Sequence, residues 1–193
     1  MKTNVIKESG RGYETLGMTD VLLQNREIFL TEEVNCETCA ELIKQLLFLE
    51  RESKGEEIKL YINSPGGDVH SGLAVYDCMR LISSPITTIC IGDSASMGAI
   101  LFLAGEKRLM LPNARIMIHD PSFSAGNVAG KKPHQIKAVL DKLIESQKSL
   151  NTIIADRTGQ SLKKVCEVTK EDSYFNSEEA IKFGLATAII TEL

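Results

Sequence analysis

Ser96, His119 and a carboxylate partner are the residues whose types could do chemistry together. Ser96 and His119 each stand just after an apolar, strand-like run. Asn63-Ser64-Pro65-Gly66-Gly67-Asp68 follows Ile62, Gly92-Asp93-Ser94-Ala95-Ser96-Met97-Gly98-Ala99 follows Ile91, and His119-Asp120-Pro121 follows Ile118. Active sites of α/β sheets sit beyond the carboxyl ends of strands, so these stretches are read first. Ser96 is the candidate nucleophile. Its small neighbours Ala95, Gly98 and Ala99 allow a tight turn and close substrate approach. A strand-to-helix junction also leaves backbone N–H groups unpaired and outward-facing, where they can hold an oxyanion. Taken alone, most serines at such junctions simply cap the helix.

Gly66-Gly67 offers the second half of an oxyanion site, because glycine can orient an amide that a side chain would block. By itself the pair reads as a turn, and neither a GxGxxG nor a Walker phosphate loop is present. His119 is the candidate base, although a histidine at a strand end is more often a polar terminator. His70 near a helix start and His134 in the polar run 131–135 read as solvated. The third member must be a carboxylate that orients the imidazole and stabilises its charged form. Asp93, Asp120, Asp156 and Asp172 are candidates. Asp120 adjoins His119, and neighbours on extended backbone point opposite ways. The residues by themselves therefore point to a Ser/His/Asp hydrolase and leave the acid open.

Cys36 and Cys39 form a CxxC. A zinc site wants about four ligands at paired spacings, and Cys78, Cys90 and Cys166 are singletons. The plainer reading is two small residues opening a helix, and no metal site is expected.

The elements that must position these residues alternate strand and helix. Strands are expected at Glu27–Leu30, Ile58–Ile62, Ile86–Ile91, Arg108–Leu111, Arg115–Ile118 and Ala188–Ile190. Helical spacing of apolar residues marks Cys39–Glu50, Leu73–Leu81, Ser96–Ala104 and Glu178–Phe183. Ile136, Val139, Leu140, Leu143, Ile144, Leu150, Ile153 and Ile154 trace one face of a long helix. Such alternation predicts an α/β fold with a largely parallel sheet.

The 193 residues predict a single domain, residues 1–193. Charged residues at 25% beside 43% hydrophobic ones exclude wholesale disorder. A net charge of −4 argues against a broad nucleic-acid footprint, and the lack of Trp against single-strand stacking. The N-terminus is polar, without the apolar core of a secretory signal. The longest apolar stretch, near Ala99–Ala104, is far too short to span a bilayer. Five cysteines, an odd number, suit reduced thiols and a cytoplasmic protein without membrane contact.

Several segments resemble the ClpP family, the proteolytic subunit of the Clp protease. They are residues 26–30 (REIFL), 45–50 (QLLFLE), 60–67 (LYINSPGG), 88–92 (TICIG), 95–99 (ASMGA), 111–113 with 117–119 (LPN, MIH), 158–160 (TGQ), Glu179-Ala180 and Gly184-Leu185. The resemblance spans nearly the whole chain and implies a crotonase/ClpP-like spiral of ββα units with a protruding handle helix. It implies a serine endopeptidase with Ser96 as nucleophile, His119 as base, Asp172 as orienting acid, and an oxyanion hole from the N–H groups of Gly67 and Met97. A strand after Gly67, with Asp68 and Val69, and a segment after Pro121, with Phe123 and Ser124, would flank an extended substrate. Residues 1–18 would form an axial segment, and about 122–157 the handle region.

The resemblance further implies two stacked heptameric rings and an AAA+ unfoldase of the ClpX, ClpA or ClpC type, which uses the ATP; the chain itself needs no cofactor. Lys59, Tyr61, Ile89, Ile91, Leu109, Leu111 and Ile190 fall near the expected unfoldase-docking pocket. There are departures. Lys59 replaces an aromatic residue, Asp120 replaces the glutamine after the histidine, and Glu171 replaces the arginine before the triad acid. The loop at Gly105-Glu106-Lys107 is about two residues short. The Gly- and Gln-rich stretch before the handle is replaced, and no proline occurs in Thr3-Asn4-Val5-Ile6, where little precedes the axial segment. These departures imply a divergent paralogue, weak alone and working with a second ClpP paralogue in a mixed complex. A crotonase-type enzyme acting on acyl-CoA thioesters would share the fold, but would not need Ser96 and His119 together.

Overall fold

Short, mostly apolar runs build the sheet, and the computed structural model describes residues 4–10, 12–123 and 129–192. An N-terminal antiparallel hairpin comes first, β1 (Asn4–Ser9) and β2 (Gly12–Gly17), followed by α1 (Met18–Gln24). The main body runs β3 (Glu27–Leu30), α2 (Cys36–Glu52), β4 (Ile58–Ser64), α3 (Val69–Leu81), β5 (Ile86–Ala95), α4 (Met97–Ala104), β6 (Lys107–Met110) and β7 (Arg115–Ile118). Then come α5 (Pro133–Thr158), α6 (Leu162–Thr169), β8 (Ser173–Asn176), α7 (Ser177–Phe183) and β9 (Ala188–Ile189). The hairpin, α1, α6 and β8 are elements that the periodicity did not mark.

Strands β3-β4-β5-β6-β9 pair in that order and in parallel. Along β5 the partner changes. Thr87–Cys90 pair with β6, while Asp93–Ala95 pair with β7, which in turn pairs antiparallel with β8. The expected strand end at Ile91 therefore falls four residues short. Ser94 looks like a turn residue by type, but its buried hydroxyl donates to Cys90 Sγ at 3.1 Å and the strand continues.

The pleat sorts the side chains. Ile28, Leu30, Ile58, Leu60, Ile62, Cys90 and Met110 point into one core with Leu42, Leu46 and Leu49 of α2 and the wholly buried α4. A helix apolar on every side has to be buried, and α4 is enclosed at the centre of the molecule. Its far end is held by a cation: Arg157 donates to Leu103 O at 2.7 Å and Gly105 O at 2.6 Å. Cations near a helix C-terminus are favourable, so α4 is fixed in space and its N-terminus presents Ser96.

The long helix α5 departs from expectation in one respect. Its apolar stripe is buried only near the C-terminal end, at Leu150 and Ile154. Ile136, Leu140 and Ile144 are exposed, with Ile144 at 51%. Twenty-six residues extend about 39 Å at the α-helical rise, more than the body can cover, so the first turns stand free of it.

Candidate active site

Ser96 sits on a sharp turn between β5 and α4 with φ 53° and ψ −119°. Such a backbone is costly for a residue with a Cβ, by about 1–3 kcal/mol. It is held by Ser96 N–H donating to Met117 O at 2.8 Å, while Ser96 O accepts from Ala99 N at 3.0 Å. Gly66 must be glycine at φ 90°, because a Cβ there would press on Ala95 O and the Ser96 side chain. The local structure thus makes room for the serine turn.

The expectation that such a serine caps its helix fails here. The Ser96 side chain makes no capping hydrogen bond to α4. Its Oγ lies 2.9 Å from His119 Nε2. His119 follows β7, whose pairing with the end of β5 sets Ala95 opposite Met117. On the other side, His119 Nδ1 lies 3.0 Å from Asp172 Oδ1. Asp172 is delivered by β8, because the register Ile118↔Ser173 brings the residue before Ser173 beside the residue after Ile118. The His119 side chain is 24% exposed and that of Asp172 59%.

The other acid candidates are engaged elsewhere. Asp93 pairs with Arg115 at 3.1 Å. Asp120 accepts from Gln147 Nε2 of α5 at 2.5 Å, and its own N–H donates to Thr169 O at 2.6 Å. Asp156 is exposed on α5.

Gly67 and Met97 lie beside Ser96 at one cavity, and among the described residues neither N–H has a hydrogen-bond partner. Gly67, at φ 147°, is bracketed by Val34: Val34 N–H donates to Gly66 O at 2.8 Å and Val34 O accepts from Asp68 N at 2.7 Å. The cavity, ≈ 230 Å³, is walled by Val69, Met97, Ile100, Leu150 and Ile154 behind the serine and histidine. It suits an apolar side chain.

The expected strand after Gly67 is absent, a correction. Asp68 is the N-cap of α3, its Oδ1 accepting from Ser71 N at 2.7 Å, and this bond holds its carboxyl below the usual range. Glycine geometry and an N-capping aspartate turn the chain into a helix one residue later. Asp68, Val69 and Phe123 share a shallow groove with Val139 and Leu143 of α5. Ser124 lies outside the described residues.

The pleat puts the expected docking residues on the sheet face away from α2, α3 and α4. Phe29, Tyr61, Ile89, Leu109 and Ala188 lie in one row by register. Tyr61 stacks on Phe29 with centroids 4.7 Å apart, and its hydroxyl donates to Glu27 at 3.2 Å. Lys59 pairs with the same Glu27 carboxylate at 3.6 Å. Ile91, Leu109, Leu111 and Ile190 are half-buried, whereas Ile89 is only 4% exposed. Ile89 is therefore enclosed by its own chain and offers little surface to a partner. Cys36 and Cys39 are both free thiols that open α2, and no metal-binding cluster occurs among the described residues. None of the helices described is long and apolar enough to cross a membrane.

A spiral of strand–helix units whose strand ends bring a serine, a histidine and an aspartate into line has the geometry of serine hydrolases. The chain belongs to the Clp protease family, whose model matches residues 10–193. The fold is accordingly the α/β ClpP/crotonase fold with a mixed sheet, and the proteolytic subunits of this family generally need no cofactor.

Proposed function

We propose that the chain is a serine endopeptidase, the proteolytic core of a self-compartmentalised Clp protease. The observation that carries this is the relay from Ser96 Oγ through His119 to Asp172, at 2.9 and 3.0 Å, in a serine that does not cap its helix. His119 Nε2 takes the hydroxyl proton as Ser96 Oγ attacks the peptide carbonyl. Asp172 keeps the other ring nitrogen protonated and stabilises the imidazolium. The N–H groups of Gly67 and Met97 hold the oxyanion. His119 then gives the proton to the leaving amine, and water hydrolyses the acyl-enzyme. The apolar cavity behind the serine favours an apolar residue on the acyl side of the cut. Asp68, Val69 and Phe123 border the groove along which an extended chain would lie. An acyl-CoA reaction of crotonase type has no use for this serine–histidine pair.

In this reading two seven-membered rings stack through the free turns of α5, with Ile136, Leu140 and Ile144 covered by the opposite ring. An AAA+ unfoldase of the ClpX, ClpA or ClpC type docks on the Tyr61–Leu109 face and feeds unfolded polypeptide past the N-terminal hairpin. Lys59 adds a charge at the rim of that face and weakens docking. The single chain is weakly active, for a specific reason. Asp172 is more than half exposed, so water competes for His119, and Glu171 stands where the family's arginine pairs with a carboxylate across the ring equator, so like charge disfavours the contact that holds the triad. A second, conventional paralogue in a mixed complex completes the geometry.

Two experiments test the reading. Ser96→Ala lowers hydrolysis of a short fluorogenic peptide by about a millionfold and leaves sedimentation unchanged; persistence of the unmodified rate would falsify the assignment. Glu171→Arg raises the stand-alone rate about threefold or more by removing the like charge. A fully active fourteen-mer of the unmodified chain in sedimentation and peptidase assays contradicts conditional activity.

A further inference from the structure

The Cys36–Cys39 pair is a chemistry-bearing motif that the proposed hydrolysis leaves unused. Cys36 is the first residue of α2 and is exposed; Cys39, one turn on, is 3% exposed and belongs to the core cluster. Cys39 N–H donates to Asn35 O at 3.0 Å, so the first turn is regular α-helix. At that geometry the two Cα atoms stand about 5 Å apart, inside the range of about 4.4–6.8 Å that disulfides span. Residues three apart share a helix face, and their Cβ atoms lean toward the N-terminus. The Cys39 Cβ therefore leans toward the turn that carries Cys36. One sulfur is reachable from solvent and the other is sheltered, with burial raising the pKa of the Cys39 thiol.

The same turn is tied to Gly67. Asn35 Oδ1 accepts from Glu37 N and Thr38 N at 2.9 and 3.1 Å, and Thr38 Oγ1 donates to Glu33 O at 2.9 Å. Val34, two residues before Cys36, makes the two backbone bonds that bracket Gly67. The opening of α2 and the Gly66–Asp68 loop are thus joined by continuous hydrogen bonds.

We propose that Cys36 and Cys39 are a dithiol–disulfide site for a low-molecular-weight disulfide, and that its oxidation displaces the Gly67 loop. The Cys36 thiolate attacks one sulfur of the small disulfide and expels a thiolate. Cys39, deprotonated, attacks the Cys36 sulfur of the mixed disulfide and expels the second. The two protons lost by the protein thiols pass to the two leaving thiolates. The protein loses two hydrogens and the small disulfide is reduced to two thiols. Closing the bond draws the Cys39 sulfur out of the core, the first turn shifts, and Val34 carries the shift to Gly67. Hydrolysis then falls about tenfold because an oxyanion donor is misplaced, a consequence that rests on the peptidase reading.

The test equilibrates the full chain with graded ratios of oxidised to reduced glutathione, then alkylates free thiols. Trypsin cuts after Arg26 and Lys44, releasing a peptide that holds Cys36 and Cys39 and no other cysteine. The expected result is an unalkylated peptide lacking two hydrogens, with faster amide exchange at Asp68. Cys39→Ser keeps one glutathione on Cys36, and Cys36→Ser carries none. A doubly alkylated peptide at every ratio overturns the proposal, as does glutathione that stays on Cys36 in the unmodified chain. A disulfide that leaves Asp68 exchange unchanged overturns the link to Gly67, and so does an unchanged rate in a chain active when reduced. If the reduced chain hydrolyses nothing, the peptidase reading fails, and the mass and exchange readouts still decide this proposal.

Discussion

Both ends of the parallel sheet tie most of their polar groups back into the fold, and they differ at Ser96. At the amino ends of the strands, every prominent polar side chain ties the chain to itself. The Arg26 guanidinium donates to Leu49 O at 2.9 Å, Glu56 O at 3.0 Å and Glu57 O at 3.1 Å. Glu50 accepts from Ser83 N at 3.1 Å, Ser83 Oγ at 2.5 Å and Ser84 N at 3.0 Å. At the carboxyl ends Ser64, Asp68 and Asp93 are engaged as well, and Ser96 is the exception. Ser96 stands in a costly backbone conformation, its hydroxyl faces a histidine, and Gly67 and Met97 line the cavity beside it. The helix caps single out Ser96. Asn35, Asp68, Ser161 and Asn176 cap α2, α3, α6 and α7 with their side chains, while Ser96 does not cap α4. Each end holds one non-glycine residue at positive φ, Arg26 at 61° and Ser96 at 53°; the Arg26 side chain is engaged by three backbone carbonyls, whereas the Ser96 hydroxyl stands against His119.

Substitutions at the two ends should therefore separate activity from stability. The largest effect after loss of the serine itself falls on Asp172. Asp172→Asn leaves the melting temperature nearly unchanged, because the side chain is largely exposed, and lowers kcat about 10⁴-fold by favouring the wrong imidazole tautomer. A drop below tenfold in peptide hydrolysis would show that Asp172 does not orient His119.

How much of this was legible in the sequence differs between the same regions. The strand ends carrying Gly67, Ser96 and His119 could be read from residue types, since β-branched runs stop at glycine, serine and histidine. The acid could not. Asp172 reaches His119 only through the pairing of β8 with β7, a contact across more than fifty positions that no local pattern encodes, and Ser-Tyr-Phe-Asn is too short to mark a strand. Only the family resemblance singled it out. The end of β5 is hidden from local pattern for a related reason. Gly92-Asp93-Ser94 looks like a turn by type, and pairing with β7 overrides that preference. The α3 start after Gly67 is legible as an N-capping aspartate, against the strand that the family resemblance implies there.

The next effect belongs to Gly67. A Cβ there would meet Val34 O, and φ 147° is strained for any other residue. Gly67→Ala lowers kcat about 10²–10³-fold by displacing one oxyanion donor, with KM for a short peptide little changed. An unaltered kcat would mean that the Gly67 N–H does not touch the oxyanion.

The smallest effect lies at the opposite end and concerns stability alone. Hydrogen bonds from Ser83 and Ser84 hold the Glu50 carboxyl down at about 2. A lowered folded-state pKa stabilises above the ordinary glutamate range and is lost as pH falls toward the folded value. Glu50→Gln should lower the melting temperature slightly at neutral pH and flatten its decline on acidification toward about pH 3, with peptide hydrolysis unaffected. Parallel melting curves for the two proteins across that range would contradict the assignment.

The central claim is that the carboxyl end of the sheet activates Ser96 as a nucleophile. The direct measurement is labelling of the assembled protein with a serine-reactive phosphonate, read by peptide mass spectrometry. One phosphonyl group per chain is expected on Ser96, lost in His119→Ala and slowed in Asp172→Asn. Labelling of another residue, or none under conditions where peptide is cleaved, would contradict it.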